Sequence, residues 1–355
     1  RSPRTAAGGM GNHPVRGRVA APAGHAGTGW GTGMMRAVLV MNNRAGTLDG
    51  RPELPGQIED ALRESGFDLR IIGEDAAPDM GGRIDAAVAA ARDLPAPLVI
   101  VGGGDGTVCG AAGKLAGTGI ALGILPLGTL NVLARDLGMP LDPLEAARAL
   151  AGAETKRIDI GEVNGEIFTC QAVLGLPNRF ARLRQANRRT PGIAARMRTI
   201  LGTLRAFGRP PLSLNLVWTD RPGAPPASKH VRARALSVVN NPYEEALGSF
   251  FHRPRLDTGL LAVHRPKRFG LFWSLVMLVA MGLGLWRRTE EVEHFLTSEL
   301  TIESRRPNLR VSTDGEIRML STPLRFQLHP RALCVLALAP VAEADRVART
   351  ETLTA

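Results

Sequence analysis

Between residues 36 and 151, short apolar runs alternate with helical patterns, and this alternation constrains the fold more than any other feature of the chain. "RAVLVMN" (36–42), "FDLRIIG" (67–73), "APLVIVGGG" (96–104) and "GIALGILP" (119–126) read as strands. "LPGQIEDALRESG" (54–66), "GRIDAAVAAARD" (82–93), "GTLNVLARDLG" (128–138) and "DPLEAARALAG" (142–152) read as helices. Strand and helix in strict turn predict a parallel α/β sheet. The texture changes near residues 152–156. From there to residue 338 the β-like runs follow one another: "KRIDIGEVNG", "EIFTCQAV", "LSLNLVW", "RARALSVVN", "GLLAVHR", "EHFLTSELTIES", "NLRVST" and "LRFQL". The expected fold is therefore α/β, a parallel-sheet nucleotide-binding domain plus a mostly antiparallel β-rich second domain. The expected boundaries are a disordered leader over 1–33, the first domain over 34–153, the second over 154–330, a strand over 331–340 that returns to the first domain, and a tail over 341–355.

Two of the apolar strands end on glycines. "VIVGGGDGTVCGAAGK" (99–114) places Gly102, Gly103, Gly104 and Gly106 around Asp105. Its closing Gly113-Lys114 imitates a Walker loop, but residue 108 is Val and residue 115 is Leu, so the pattern fails at both ends. The dinucleotide fingerprint fails as well, because Cys109 stands where its third glycine belongs. Glycines after a strand and before a helix still let backbone N–H groups approach phosphates closely. Asp105 suits a role beside Mg²⁺ or as a base facing a hydroxyl, or else the turn is a plain one capped by the aspartate. "ILPLGTLN" (124–131) repeats the layout with Gly128, Thr129 and Asn131. Adjacent parallel strands would bring both turns to one sheet edge, where Thr129 and Asn131 would bond phosphate or ribose.

In this order "NNRAG" (42–46), "GGGDGT" (102–107), "PLGTLN" (126–131) and "STDGE" (312–316) resemble the motifs of the diacylglycerol kinase-like lipid kinases. "VVNNPY" (238–243) and "RPRLDTGLL" (253–261) also look like segments of bacterial members, and the resemblance covers roughly residues 35 to 340. It implies ATP-dependent phosphorylation of a lipid hydroxyl, with ATP and Mg²⁺ as cofactors and the active site in a cleft between the two domains. Carried over by position, Asn42, Gly46, Gly103, Gly104, Gly106, Thr107, Gly128, Thr129 and Asn131 would bind nucleotide. Asp105, Asp314 and Glu316 would be catalytic, with Asp105 or Glu316 as general base and Asp105 reaching a metal through water. Asp314-Gly315 is also a hairpin-turn signal in its own right. Asn43, Val132, Cys170 and Thr258 depart from the family pattern, where Pro, Asp or His, Asn and Asp are usual. NAD kinases share the Gly-Gly-Asp-Gly turn, so a soluble-substrate kinase is the alternative, and a non-catalytic nucleotide- or membrane-binding protein is a third reading.

Charge and hydropathy bear on partners. The net charge of +11 suits an anionic partner. Residues 179–209 hold nine arginines and no acid, a face suited to anionic lipid headgroups or merely to solvent. The scarcity of aromatics, 4% of residues, and the absence of any recognition motif argue against nucleic acid. The expected partners are a lipid substrate and an anionic membrane surface, with a homodimer left open. The uncharged run 269–286 has 18 residues and basic flanks on both sides, and it reads as a buried or membrane-facing helix rather than a spanning one. Cys109, Cys170 and Cys334 form no paired spacing, so neither zinc nor a disulfide framework is indicated and a reducing compartment fits. The expected location is cytoplasmic, at the inner face of the membrane.

Overall fold

Four parallel strands organise the first lobe. In the computed structural model, which describes residues 34–175, 210–219, 224–244, 252–267 and 292–338, the chain runs β1 (Met35–Met41), α1 (Leu54–Glu64), β2 (Phe67–Ile72) and α2 (Met80–Ala91). It continues through β3 (Leu98–Gly103), α3 (Asp105–Leu115), β4 (Ala121–Pro126), α4 (Val132–Asp136) and α5 (Pro143–Ala149). Strand order is β2-β1-β3-β4, and all these pairs are parallel. Every residue of β3 and β4 is buried, which is why their sequences are unbroken apolar runs rather than alternating ones. On α1, Leu54, Ile58, Ala61 and Leu62 are buried along one stripe at helical spacing. On α2, Asp79 caps the first turn by accepting the Gly82 N–H at 2.9 Å. The expected leader, the apolar run 269–286, the arginine-rich 179–209 and the tail lie outside the described residues.

The second half supplies β5 (Glu154–Val163), β6 (Glu166–Phe168), β7 (Gln171–Gly175), β8 (Leu212–Thr219), β9 (Ala227–Ala233) and β10 (Ala235–Asn240). It then adds β11 (Leu261–Pro266), β12 (Val292–Thr297), β13 (Glu299–Ser304), β14 (Asn308–Thr313), β15 (Glu316–Ser321) and β16 (Leu324–Ala337). One sheet extends the first lobe in the order β2-β1-β3-β4-β16-β13-β8-β9. The other is antiparallel, β12-β11-β10-β7-β14-β15. The two pack face to face over a second core in which Phe168 and Phe326 meet edge to face, their ring centres 6.3 Å apart.

Several elements differ from the sequence expectation. "LRFQL" and the returning strand are one strand, β16, which pairs β13 at one end and runs parallel to β4 at the other, through Cys334 opposite Ala121. A bulge between His329 and Leu333 falls at Pro330, which has no N–H to pair, and Asp159 accepts the Arg331 N–H there at 2.8 Å. The expected helix 128–138 shrinks to five residues, because Asn131 sits at φ +49 and ends the turn before it. "EHFLTSELTIES" breaks at Ser298 into β12 and β13, and "RARALSVVN" breaks at Arg234 into β9 and β10. In both cases the chain crosses between the two sheets. "EIFTCQAV" breaks at Thr169–Cys170, and β15 was not expected at all.

One ion pair ties the lobes together. Asp136 ends α4, and Arg253 lies in the segment before β11. Their side chains are 1% and 0% exposed. Arg253 donates to the Asp136 carboxylate from its backbone N at 3.0 Å, Nε at 2.8 Å and Nη2 at 2.6 Å. Its Nη1 donates to the carbonyls of Thr169 at 2.7 Å and Asn240 at 2.8 Å. Arg253→Met would leave the Asp136 carboxylate buried without its partner, a loss of about 3–5 kcal/mol. Urea denaturation should show it. Adding Asp136→Leu should restore part of that loss but not all, because the two carbonyls still lack their donor.

Candidate active site

The two glycine turns meet at the carboxyl edge of the sheet because β3 and β4 run side by side, with Gly103 opposite Pro126. Gly104 and Gly128 touch backbone to backbone: a Cβ built on Gly128 would lie 2.5 Å from the Gly104 Cα. A Cβ on Gly103 would lie 2.6 Å from the Thr107 Cβ, so the loop folds onto its own helix only as glycine. Asn42, at the end of β1, donates from Nδ2 to Thr107 Oγ1 at 3.0 Å and anchors its backbone N–H on Gly102 O. Gly46 opens a short 3-10 turn, and the neighbouring Thr47 donates to Leu127 O. Asn42, Gly46, Gly103, Gly104, Gly106, Thr107 and Gly128 therefore gather at one edge, and Thr129 is exposed beside them.

Asn131 lies inside the second glycine turn. Its side chain closes its own turn, with Oδ1 accepting Gly128 N–H and Nδ2 donating to Gly128 O, each at 2.9 Å. Both bonds shape the loop. The closing Lys114 pairs with Asp85 on α2, as an ordinary helix lysine would.

The three candidate carboxylates have different surroundings. Asp105 begins α3 but turns across to α4, where its two oxygens accept Asn131 N–H at 3.0 Å and Val132 N–H at 2.7 Å. It is a helix cap, but of α4 rather than of its own helix. Burial holds its carboxyl above the usual aspartate range, against the pull of the two N–H bonds, and the Asp314 charge adds to the rise. Asp314 is the most heavily hydrogen-bonded of the three. It occupies a tight turn with φ +47, followed by Gly315 at φ +93. Its carboxylate accepts the N–H groups of Thr169 at 2.6 Å, Cys170 at 3.0 Å and Gln171 at 2.8 Å, and the Thr169 hydroxyl at 2.8 Å. Four donors commit it to holding the break between β6 and β7.

Glu316 reaches the loop directly. Its Oε1 lies 2.8 Å from where a Cβ on Gly106 would stand, so this glycine makes room for it. Its Oε2 accepts from Arg318 Nη2 at 3.1 Å. Between the lobes lies an open groove of about 690 Å³, lined among others by Asn42, Met80, Gly106, Thr107, Ile167 and Glu316. Cys109 also lines it, its thiol donating to Ile167 O and held protonated by burial.

At the departing positions the structure substitutes other contacts. Val132 contributes its N–H to Asp105. Thr258 gives N–H and hydroxyl to Asn241 Oδ1 at 2.8 and 2.6 Å. The Cys170 sulfur accepts from Arg253 Nη2 at 3.2 Å. Sequence reasoning missed Asp136, Thr169, Arg253 and Arg318, which meet only in the fold. No group of three His, Cys, Asp or Glu poised to hold a metal occurs among the described residues.

A family model for the diacylglycerol kinase catalytic domain matches residues 36–163. The chain is 30% identical over 312 residues to a Pseudomonas fluorescens protein named "probable lipid kinase YegS-like", an alignment covering 84% of this chain and 94% of the relative. A Chromohalobacter salexigens protein of the same name is 27% identical over 327 residues, covering 89% and 95%. A crystal structure of a diacylglycerol kinase from Bacillus anthracis superposes with a TM-score of 0.59 at 21% identity, over 85% of this chain and 97% of that one, a likeness of fold.

The contacts of the glycines separate two substitutions. Gly128→Ala meets backbone and should cost about 1–3 kcal/mol in a denaturation experiment. Gly106→Ala meets only the movable end of Glu316, so it should fold with nearly the wild-type midpoint while displacing that carboxylate.

Proposed function

This chain belongs to the YegS-like lipid kinases of the diacylglycerol kinase family, and from that premise we propose that it transfers the γ-phosphate of ATP to the hydroxyl of a diacylglycerol-like lipid. The observation that carries the reading is the position of Glu316, brought by the second lobe onto Gly106 and next to Asp105. The backbone N–H groups at the start of α3 would cradle the phosphates, aided by the positive end of that helix. Asn42 and Thr107 would border the same phosphates. Mg²⁺ fits as the nucleotide's own counter-ion rather than as a resident of a protein cage, since such ions keep several waters and one or two carboxylates. When bound, it neutralises charge on the β- and γ-phosphates. Asp105, steadied by the α4 N–H groups, would face it through water.

Glu316 is the proposed general base. Its carboxylate takes the proton of the lipid hydroxyl as the hydroxyl oxygen bonds to the γ-phosphorus and the bond to the bridging oxygen breaks, releasing ADP. Glu316 and the glycine loop line one groove, which would bring the reacting oxygens together before the step. Asp314 acts at one remove: it fixes the turn that sets where Glu316 begins.

Docking at the inner face of a membrane belongs to the same proposal. Its support is the net charge of +11 and the nine arginines of residues 179–209. Among the described residues no helix is long and apolar enough to cross a membrane. The lipid names of the relatives support the acceptor class.

Radiolabelled ATP offered with diacylglycerol in mixed micelles, and separately with NAD, tests the reading. Label should enter lipid and not NAD. Glu316→Gln should lower kcat by about 10²–10⁴-fold while nucleotide still binds. Label in NAD alone, or full lipid turnover by Glu316→Gln, contradicts it.

A further inference from the structure

We propose that Arg318 is the residue that recognises the terminal phosphate of the nucleotide, a guanidinium delivered to the glycine loop by the second lobe. This rests on the kinase reading above and assigns within that site a role the family motifs do not cover.

Phosphoryl transfer depends on fixed positive charge near the group that moves. The glycine loop has no Walker lysine to provide it. Among the described residues, two cations line the groove, Lys114 and Arg318. Lys114 is engaged by Asp85 on the neighbouring helix. Arg318 is oriented by the strand that carries it. Side chains in β15 alternate between faces, so Glu316 and Arg318 project on the same side. Glu316 Oε1 rests against the Gly106 position, and Arg318 Nη2 donates to the other oxygen of that carboxylate at 3.1 Å. Arg318 Nη1 donates to Glu166 Oε1, also lining the groove, at 3.2 Å. The fork is therefore held between two carboxylates that line the same groove as Gly106 and Thr107.

Neither pairing is deeply held. The Arg318 side chain is 48% exposed, Glu316 54% and Glu166 32%, a setting in which ion pairs exchange readily. A phosphate seated on the Gly103–Thr107 amides offers the fork a doubly charged, bidentate partner, which a guanidinium prefers to a single exposed carboxylate. Moving Arg318 from Glu316 to the phosphate also releases the carboxylate that accepts the lipid proton. The terminal phosphate of ATP would thus prepare its own base. ADP lacks that phosphate and would leave the Arg318–Glu316 pair in place.

Among the described residues, Arg318 sits on an edge strand paired on one side, through Val311 of β14. An arginine kept there for solubility alone would not affect nucleotide discrimination. Calorimetric titration of the full chain with a non-hydrolysable ATP analogue and with ADP, both with Mg²⁺, separates the two cases. Arg318→Ala should weaken the ATP analogue about tenfold and change ADP by less than about twofold. Arg318→Lys, a point charge without the fork, should fall between wild type and Ala for the ATP analogue. Equal weakening of both nucleotides, or none, overturns the inference while leaving the kinase reading intact. Wild-type protein that binds neither nucleotide overturns both.

Discussion

A guanidinium and a carboxylate, both shut away from water, meet where the lobes join. Arg253 and Asp136 would be costly to bury singly, and together they are kept in place by the bonds around them. From this pair a closed circuit of contacts runs round the cleft. The Asp105 carboxylate holds the first N–H groups of α4, and Asp136 ends that helix and grips Arg253. Arg253 binds the Thr169 carbonyl, Thr169 gives N–H and hydroxyl to Asp314, and Asp314 sets the turn from which Glu316 begins. Glu316 then comes back to Gly106, one residue from Asp105. The position of the last carboxylate is thus fixed by the first, through both lobes.

This circuit divides the acids by task. Asp314 takes four donors and Asp105 two, mostly backbone N–H groups, and both are held in place by them. Among the described residues, Glu316 meets one exposed arginine, and it lines the groove. A carboxylate that is to take a proton needs that freedom, and one that holds a turn needs the opposite. Burial pushes the thiols of both Cys109 and Cys170 well above the usual thiol range.

Local signals were the legible ones. The parallel sheet followed from apolar runs in strict turn with helical patterns. The paired glycine turns followed from two strands stopping alike, and the contact of Gly104 with Gly128 is their physical form. What sequence could not reveal lies in long-range pairing. Arg253 and Asp136 are 117 positions apart, and nothing around either residue announces the other. β15 escaped notice because as an edge strand it buries no face, so "EIRMLS" has no clean alternation. Asp314-Gly315 reads in sequence both as a catalytic acid and as a hairpin turn, and the four donors that hold its carboxylate come from a segment some 145 positions away. The αL turn at Asn131 likewise looked like the start of a helix until its amide was seen closing on Gly128.

The most direct test of the central claim, a phosphate seat completed across the lobes by Glu316, is the structure of the protein with a bound non-hydrolysable ATP analogue. The account predicts the polyphosphate on the Gly103–Thr107 backbone, with Glu316 on the facing wall of the groove and Arg253 still paired to Asp136. A nucleotide bound away from that loop, or a Glu316 carboxylate turned out of the groove in the complex, would contradict it.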